Sequence, residues 1–210
     1  MTTRYFTLST IKPSLKNILG RLGYNKKKTR LDERSLELIK SELDNSLQFI
    51  KPEGLSRDCS VFLPDQQTVN AGGIVFHSKK LALIMKNSSS ATIFACTIGS
   101  KITDEIAGLS EKGEMSRAVI LDSIASESVE ALAEYINGLL AREKVLLSLW
   151  PSKRFSPGYG DLKTNSQPAI LRLLEAKRIG LSCSRDSFTL VPEKSITAII
   201  GWNSYAAPLT

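Results

Sequence analysis

The period of the apolar positions changes along this chain, and the changes divide it into helical and strand-like stretches. Leu15, Ile18, Leu19 and Leu22 fall on one helical face, with Pro13 in the first turn and Gly23 behind, so the spacing predicts a helix over 11–22. Asp32 is placed to cap a second helix, whose Leu36, Ile39, Leu43, Leu47 and Ile50 recur at helical spacing until Pro52. Over 53–98 the pattern becomes strand-like. Cys59–Leu63 and Gly73–Phe76 read as short strands, Leu81, Ile84 and Met85 fit a helix, and Asn87–Ser90 predicts a turn. Ala91–Ile98 is a continuous apolar run closed by Gly99, the pattern of a buried strand. The charged stretch 101–114 fits a surface helix with a break near Gly113.

The longest helical stretch is 116–147. At ~100° per residue, Leu121, Ala125, Val129, Leu132, Ile136 and Leu139 line one side and Glu127, Glu130 and Glu134 the other. Periodicity favours a solvated face for that acidic stripe; a cleft wall offering carboxylates to an amino group is the alternative. A further helix starts near Pro168, over 167–174. Ser187–Val191 and Ser195–Ile200 read as strands, and a hairpin between them around Pro192 is expected. Helices, strands, a long helix and strands again do not make a regular βαβ alternation. The expected fold class is therefore α+β, with a mixed or antiparallel sheet and long helices. One domain is expected, with 1–52 a helical segment packed on or extending a core of 53–210.

Composition narrows the function classes. No apolar run approaches the ~20 residues needed to span a bilayer. The apolar core of the first ten residues is too short for a secretory signal, so the cytoplasm is the expected compartment and no membrane partner is expected. Three cysteines, Cys59, Cys96 and Cys183, stand far apart without a C-x-x-C pair, which fits reduced thiols. With His77 as the sole histidine, a metal site is not expected, and no nucleophile elbow accompanies it. The net charge of +7 is concentrated near the N-terminus, where Lys26, Lys27, Lys28, Arg30 and Arg34 cluster. Without a nucleic-acid motif, that cluster reads as a solvated basic loop, and next as a docking patch for an acidic protein rather than nucleic acid. No Gly-x-Gly-x-x-Gly or P-loop offers a phosphate cradle.

The richest chemistry lies at 154–161, Arg-Phe-Ser-Pro-Gly-Tyr-Gly-Asp. Arg154 can grip a carboxylate through two parallel hydrogen bonds, which lysine cannot do. Pro157 fixes one backbone torsion, Gly158 permits a positive φ, and Tyr159 is presented by the turn they form. The element suits a small ligand that carries a carboxylate and a flat ring. A structural turn with a surface arginine gives the same string, so the octet alone leaves both readings open.

The order of segments adds to it. Arg154-Phe-Ser-Pro-Gly-Tyr159, a helix, Ile179-Gly-Leu181 and Pro192-x-x-Ser195 together resemble the activation (reactivation) domain of cobalamin-dependent methionine synthase, which binds S-adenosylmethionine (AdoMet). Upstream, Ala125-Ser-Glu-Ser-Val-Glu-Ala-Leu-Ala-Glu-Tyr135 resembles the long helix before that family's Arg-x-x-x-Gly-Tyr motif. Thr97-Ile-Gly99 and Leu19-Gly-Arg-Leu-Gly-Tyr24 are similar to segments of its free-standing relatives. The likeness spans roughly 90–202 and is weaker over 1–90.

The resemblance implies an AdoMet site in which Arg154 binds the methionyl carboxylate and the backbone around Phe155 and Gly158 meets the adenosine. It places Tyr159 near the sulfonium, facing the corrin, as the residue closest to the reaction, and it aligns Glu130 with an AdoMet-contacting glutamate, with Glu134 a weaker neighbour. This chain has Gly160-Asp161 where the large form of the family has a proline, and no equivalent of that form's N-terminal aspartate is placed. Tyr205 lies in the region of a contributing C-terminal tyrosine without aligning cleanly. No Asp-x-His-x-x-Gly cobalamin motif occurs, so cobalamin is expected on a partner protein. The implied function is an activation subunit acting as an accessory methyltransferase component. It would support conversion of cob(II)alamin to methylcobalamin on a separate methionine synthase or other corrinoid protein, with a flavodoxin-like electron donor. A non-catalytic AdoMet-binding or corrinoid-protein docking module is the alternative.

Overall fold

The apolar run ending at Gly99 becomes the centre of the molecule because both of its faces are covered. The computed structural model describes residues 2–24 and 31–204. In chain order its first elements are β1 (Arg4–Thr7), α1 (Leu15–Arg21), α2 (Glu33–Ser46), β2 (Glu53–Phe62), β3 (Thr68–Ala71), β4 (Ile74–His77) and α3 (Lys79–Met85). They continue with β5 (Ser88–Thr97), α4 (Lys101–Glu111), α5 (Met115–Val145), β6 (Trp150–Pro151), α6 (Gln167–Leu174), β7 (Ser182–Cys183), β8 (Leu190–Val191) and β9 (Ser195–Asn203). The order β4-β3-β2-β5-β9-β6, with β1 also on β2, makes a seven-stranded sheet in which every pairing is antiparallel. The α+β expectation holds.

Alternation along β5 and β9 sorts the core. Ile93, Ala95 and Ile199 face α3, α6 and the β3–β4 hairpin, where Leu81, Phe76, Ile170 and Leu174 pack on them. Phe94, Cys96, Ala198, Ile200 and Trp202 face α4 and α5, meeting Ile102, Leu121, Leu132 and Ile136. Sandwiching between two helical layers is why residues 91–98 read as one apolar run rather than an alternating one. The N-terminal half of α5 is covered on a second side, where Ile120 and Ile124 pack with Ile18 of α1 and Ile39 and Leu43 of α2. Asp32 caps α2 as predicted, accepting from the Ser35 N–H at 2.9 Å.

Long-range pairing overrides local preference in three places. Of Asn87–Ser90 only Asn87 is turn: Ser88 opens β5, pairs with Asn203, and donates its hydroxyl to Asn203 Oδ1 at 2.9 Å. The expected hairpin of Ser187–Val191 with Ser195–Ile200 does not form. Only β8 of the first segment is strand, and it pairs with β7, while β9 lies between β5 and β6. A two-faced apolar strand gains more between two helical layers than in an exposed ribbon. Third, β2 begins at Glu53, because Glu53–Ser60 pair with β5 and the polar residues within that stretch hide the strand from a periodicity reading. The basic run Lys26–Arg30 and Tyr205 lie outside the described residues.

β9 has almost no free space along its buried face. A Cβ on Gly201 would meet Met85 Sδ at 2.5 Å and Ser88 Cβ at 3.0 Å, and would overlap the Ser88 hydroxyl. Gly201→Ala is therefore expected to destabilise the protein by about 1–3 kcal/mol, as overpacking of a filled core does. Urea unfolding should give a lower midpoint at an unchanged m-value. An unchanged midpoint would mean that β9 can shift to admit a methyl group.

Candidate functional site

Residues 150–155 run antiparallel along the free edge of β9. Trp150 and Pro151 pair with Asn203 and Trp202, Ser152 N–H donates to Gly201 O at 2.7 Å, and Phe155 exchanges backbone bonds with Ile199 at 3.0 and 2.8 Å. Lys153 and Arg154 lie between these anchors. Arg154 reaches α5, where its Nη2 donates to Glu130 Oε2 at 2.8 Å and lies 3.4 Å from Glu134 Oε1. The other terminal nitrogen, Nη1, is buried and has no hydrogen-bond partner. An arginine N–H shielded from water without an acceptor is costly, so this atom would gain from one.

The chain then turns as its composition requires. Tyr159 N–H donates to Ser156 O at 3.1 Å across Pro157 and Gly158, with Gly158 at φ 94°: the type II pattern of proline followed by glycine. Gly158 N–H donates to Leu162 O at 2.7 Å, closing the loop on itself. Tyr159 is left 63% exposed on the rim. Its side chain is thus open to solvent.

The cleft these elements enclose has a volume of about 450 Å³, within the range of small-molecule sites. Glu130, Arg154, Phe155, Tyr159, Gln167 and Thr197 are among its lining residues. Gln167 and Thr197, both buried, make a polar floor in which the Thr197 hydroxyl donates to Gln167 Oε1 at 2.7 Å. Ser195 Oγ donates to Pro192 O at 2.7 Å, so the two ends of the Pro192-x-x-Ser195 segment hold each other beside the cleft. Close by, burial pushes the Cys96 thiol up to about 12; the Arg154 charge opposes that shift and Glu130 adds to it. Cys96 is a neutral thiol at physiological pH.

The structure brings Glu130, Arg154, Phe155 and Tyr159 together around one cleft; Gly158 shapes the turn beside it without lining it. The solvated reading of the acidic stripe holds for Glu134, which is 64% exposed, but not for Glu127. Glu130 and Glu134 hold Arg154, while Glu127 is 12% exposed and accepts from Arg21 at 2.9 Å. Gln167 and Thr197 were not legible in sequence as cleft residues, because their partners lie on remote elements and no spacing links them.

Asp161, at the end of the octet, has a structural task. Its carboxylate accepts from Ser78 Oγ at 2.5 Å and from the N–H groups of Lys79 and Lys80 at 2.7 and 3.4 Å, at the start of α3. Gly160, at φ 60°, lies so close to Lys80 that a Cβ would meet its Cδ at 2.6 Å. The Ser78 hydroxyl, followed by those backbone donors, holds the Asp161 pKa below its usual 3.8.

A carboxylate with a depressed folded-state pKa stabilises above its unfolded pKa and loses that effect as pH falls through the folded value. Asp161→Ala is expected to lower Tm at pH 7, with the difference from wild type shrinking as the pH drops below about 3.8. Thermal scans across this range check it; a pH-independent difference would mean that lost packing, not the charge, is responsible.

No described helix is long and apolar enough to cross a membrane. No protein-family model and no curated protein matches this chain. Among solved structures it is similar to the crystal structure of the MetH reactivation domain bound to AdoHcy, with a TM-score of 0.69 and 16% sequence identity over 100% of this chain and 81% of that one. The chain has the fold of the MetH reactivation domain.

Proposed function

We propose that this chain is an AdoMet-binding activation subunit of the cytoplasm that supports reductive methylation of cob(II)alamin on a separate cobalamin-dependent methionine synthase, in methionine biosynthesis. The observation that carries the reading is Arg154. Its buried Nη1 lacks an acceptor at the wall of a ligand-sized cleft, in a fold whose solved example holds AdoHcy. Residues 1–52 would extend the core of 53–210 as one domain.

The cleft suits the methionyl end of AdoMet. Arg154 Nη1 donates to the carboxylate, and Glu130, with Glu134 near it, supplies negative charge for the ammonium group. The main chain around Phe155 and Gly158 meets the adenosine, and Tyr159 on the rim lies between the ligand and the docked partner. With AdoMet held by Arg154, Glu130 and the main chain around Phe155 and Gly158, the ligand would supply a methyl group, its sulfur keeping the bonding pair of the broken S–CH₃ bond, and the partner's cobalamin, with one electron from a flavodoxin-like donor, would take that methyl group up. This chain contributes positioning and exclusion of water, which is where the catalytic gain arises.

Calorimetric titration tests the site. Wild type should bind AdoMet, and Arg154→Ala should lose about 2–5 kcal/mol of binding free energy. Equal binding by wild type and variant would remove Arg154 from the site. Restored turnover of oxidised synthase then separates the activation subunit from a docking module, which would associate without rescue. The basic run Lys26–Lys28 is proposed as the docking patch for the acidic donor or the cobalamin module. Reversing those three charges should weaken association measurably at low salt, and unchanged association would remove the patch from the reading.

A further inference from the structure

A second concavity, larger than the first at about 690 Å³, lies between the β3–β4 hairpin and α6. Arg57 of β2, Lys163 from the loop before α6, and Arg172 of α6 line it, with the His77 imidazole also at its wall. Glu175 is the one acidic residue of the lining, and its Oε2 lies 3.5 Å from Arg178 Nη1. Arg57 donates from Nη1 to Leu173 O at 3.0 Å, which holds the guanidinium against the end of α6 and uses one of its five donors. Among the described residues none of these three cations forms an ion pair. What sets these three apart is that they reach one groove from β2, from the loop before α6 and from α6 itself. Low-dielectric walls focus their field into the groove and raise the local concentration of anions.

We propose that this groove binds a small molecule carrying clustered phosphate groups, at a site separate from the Arg154 cleft. Arg57 is the held, fork-shaped donor, and Lys163 and Arg172 are exposed charges that close on the ligand from the α6 side. Each cation comes from a different stretch of chain, which is why no glycine-rich phosphate motif announces the site.

Inorganic triphosphate is the probe, titrated calorimetrically at low salt into the full chain. It lacks the adenosine proposed for the Arg154 cleft, and Arg154→Ala reports whether its charge is bound there instead. Wild type should bind, and Lys163→Gln/Arg172→Gln should weaken binding roughly tenfold, as expected for losing two solvent-exposed ion pairs. Both positions are exposed, and unchanged Tm will show that the variant folds. Arg34→Gln/Lys40→Gln removes the same charge from α2 and should leave binding unchanged, as should Arg154→Ala. The proposal is overturned if wild type shows no binding at millimolar triphosphate or if the groove variant binds like wild type. It is equally overturned if the α2 variant loses as much, which is general attraction to a basic protein, or if Arg154→Ala abolishes binding, which places the anion in the other cleft.

Discussion

Antiparallel pairing of β9 with β5, under helices on both faces, is the constraint from which the rest of this structure follows. The two strands pair from Ser195–Thr97 to Ser88–Asn203. Their inward residues are withdrawn from water on both sides, so each strand contributes hydrophobic free energy twice. β9 then does three things at once. Its start supplies Ser195 and Thr197 to the cleft, its middle holds Phe155, and its end receives β6. A displacement of β9 would therefore move the floor of the cleft and the strand carrying Arg154 together.

A polar network secures the far end of the same sheet. The Trp202 indole N–H donates to Thr92 Oγ1 at 2.8 Å, Thr92 bonds Asp58, and Lys144 Nζ reaches Asp58 Oδ2 at 2.6 Å while lying 5.8 Å from the Trp202 ring centre. Three strands and the last turns of α5 are joined through one chain of hydrogen bonds. Such a chain satisfies buried polar groups and selects one register among several that apolar packing would tolerate. It also sets where α5 lies along the sheet, and hence where Glu130 meets Arg154.

The octet divides its labour. Its first half is zipped to β9 and projects Arg154; its second half is bolted to the start of α3 through Asp161. Between two fixed ends, the Pro157–Gly158 turn has little freedom, so Tyr159 is exposed without being loose. Arg154 is preorganised in the same sense. Glu130 orients its fork before any ligand arrives, and the uncompensated Nη1 stores a desolvation cost on the order of 1–3 kcal/mol that an acceptor would relieve.

Helices α2 and α5, the buried strand at 91–98 and the turn at Pro157–Gly158 were legible in the chain, because each is specified by neighbours within a few residues: a cap, a 3.6-residue stripe, a two-faced apolar run, a fixed φ followed by a free one. Arg154 and its motif stood out for the same local reason. The pairing of β9 was not legible, since antiparallel partners can lie any distance apart and Ser187–Val191 offered a nearer one. Nor was the fate of the carboxylate stripe: Glu130 has the same helical phase whether it faces water or a guanidinium 24 positions along the chain. The polar floor made by Gln167 and Thr197, and the cationic groove shared by Arg57, Lys163 and Arg172, exist only once remote segments are packed. Local periodicity encodes which face of an element is apolar; what that element meets is set by long-range burial, which no short window of sequence contains.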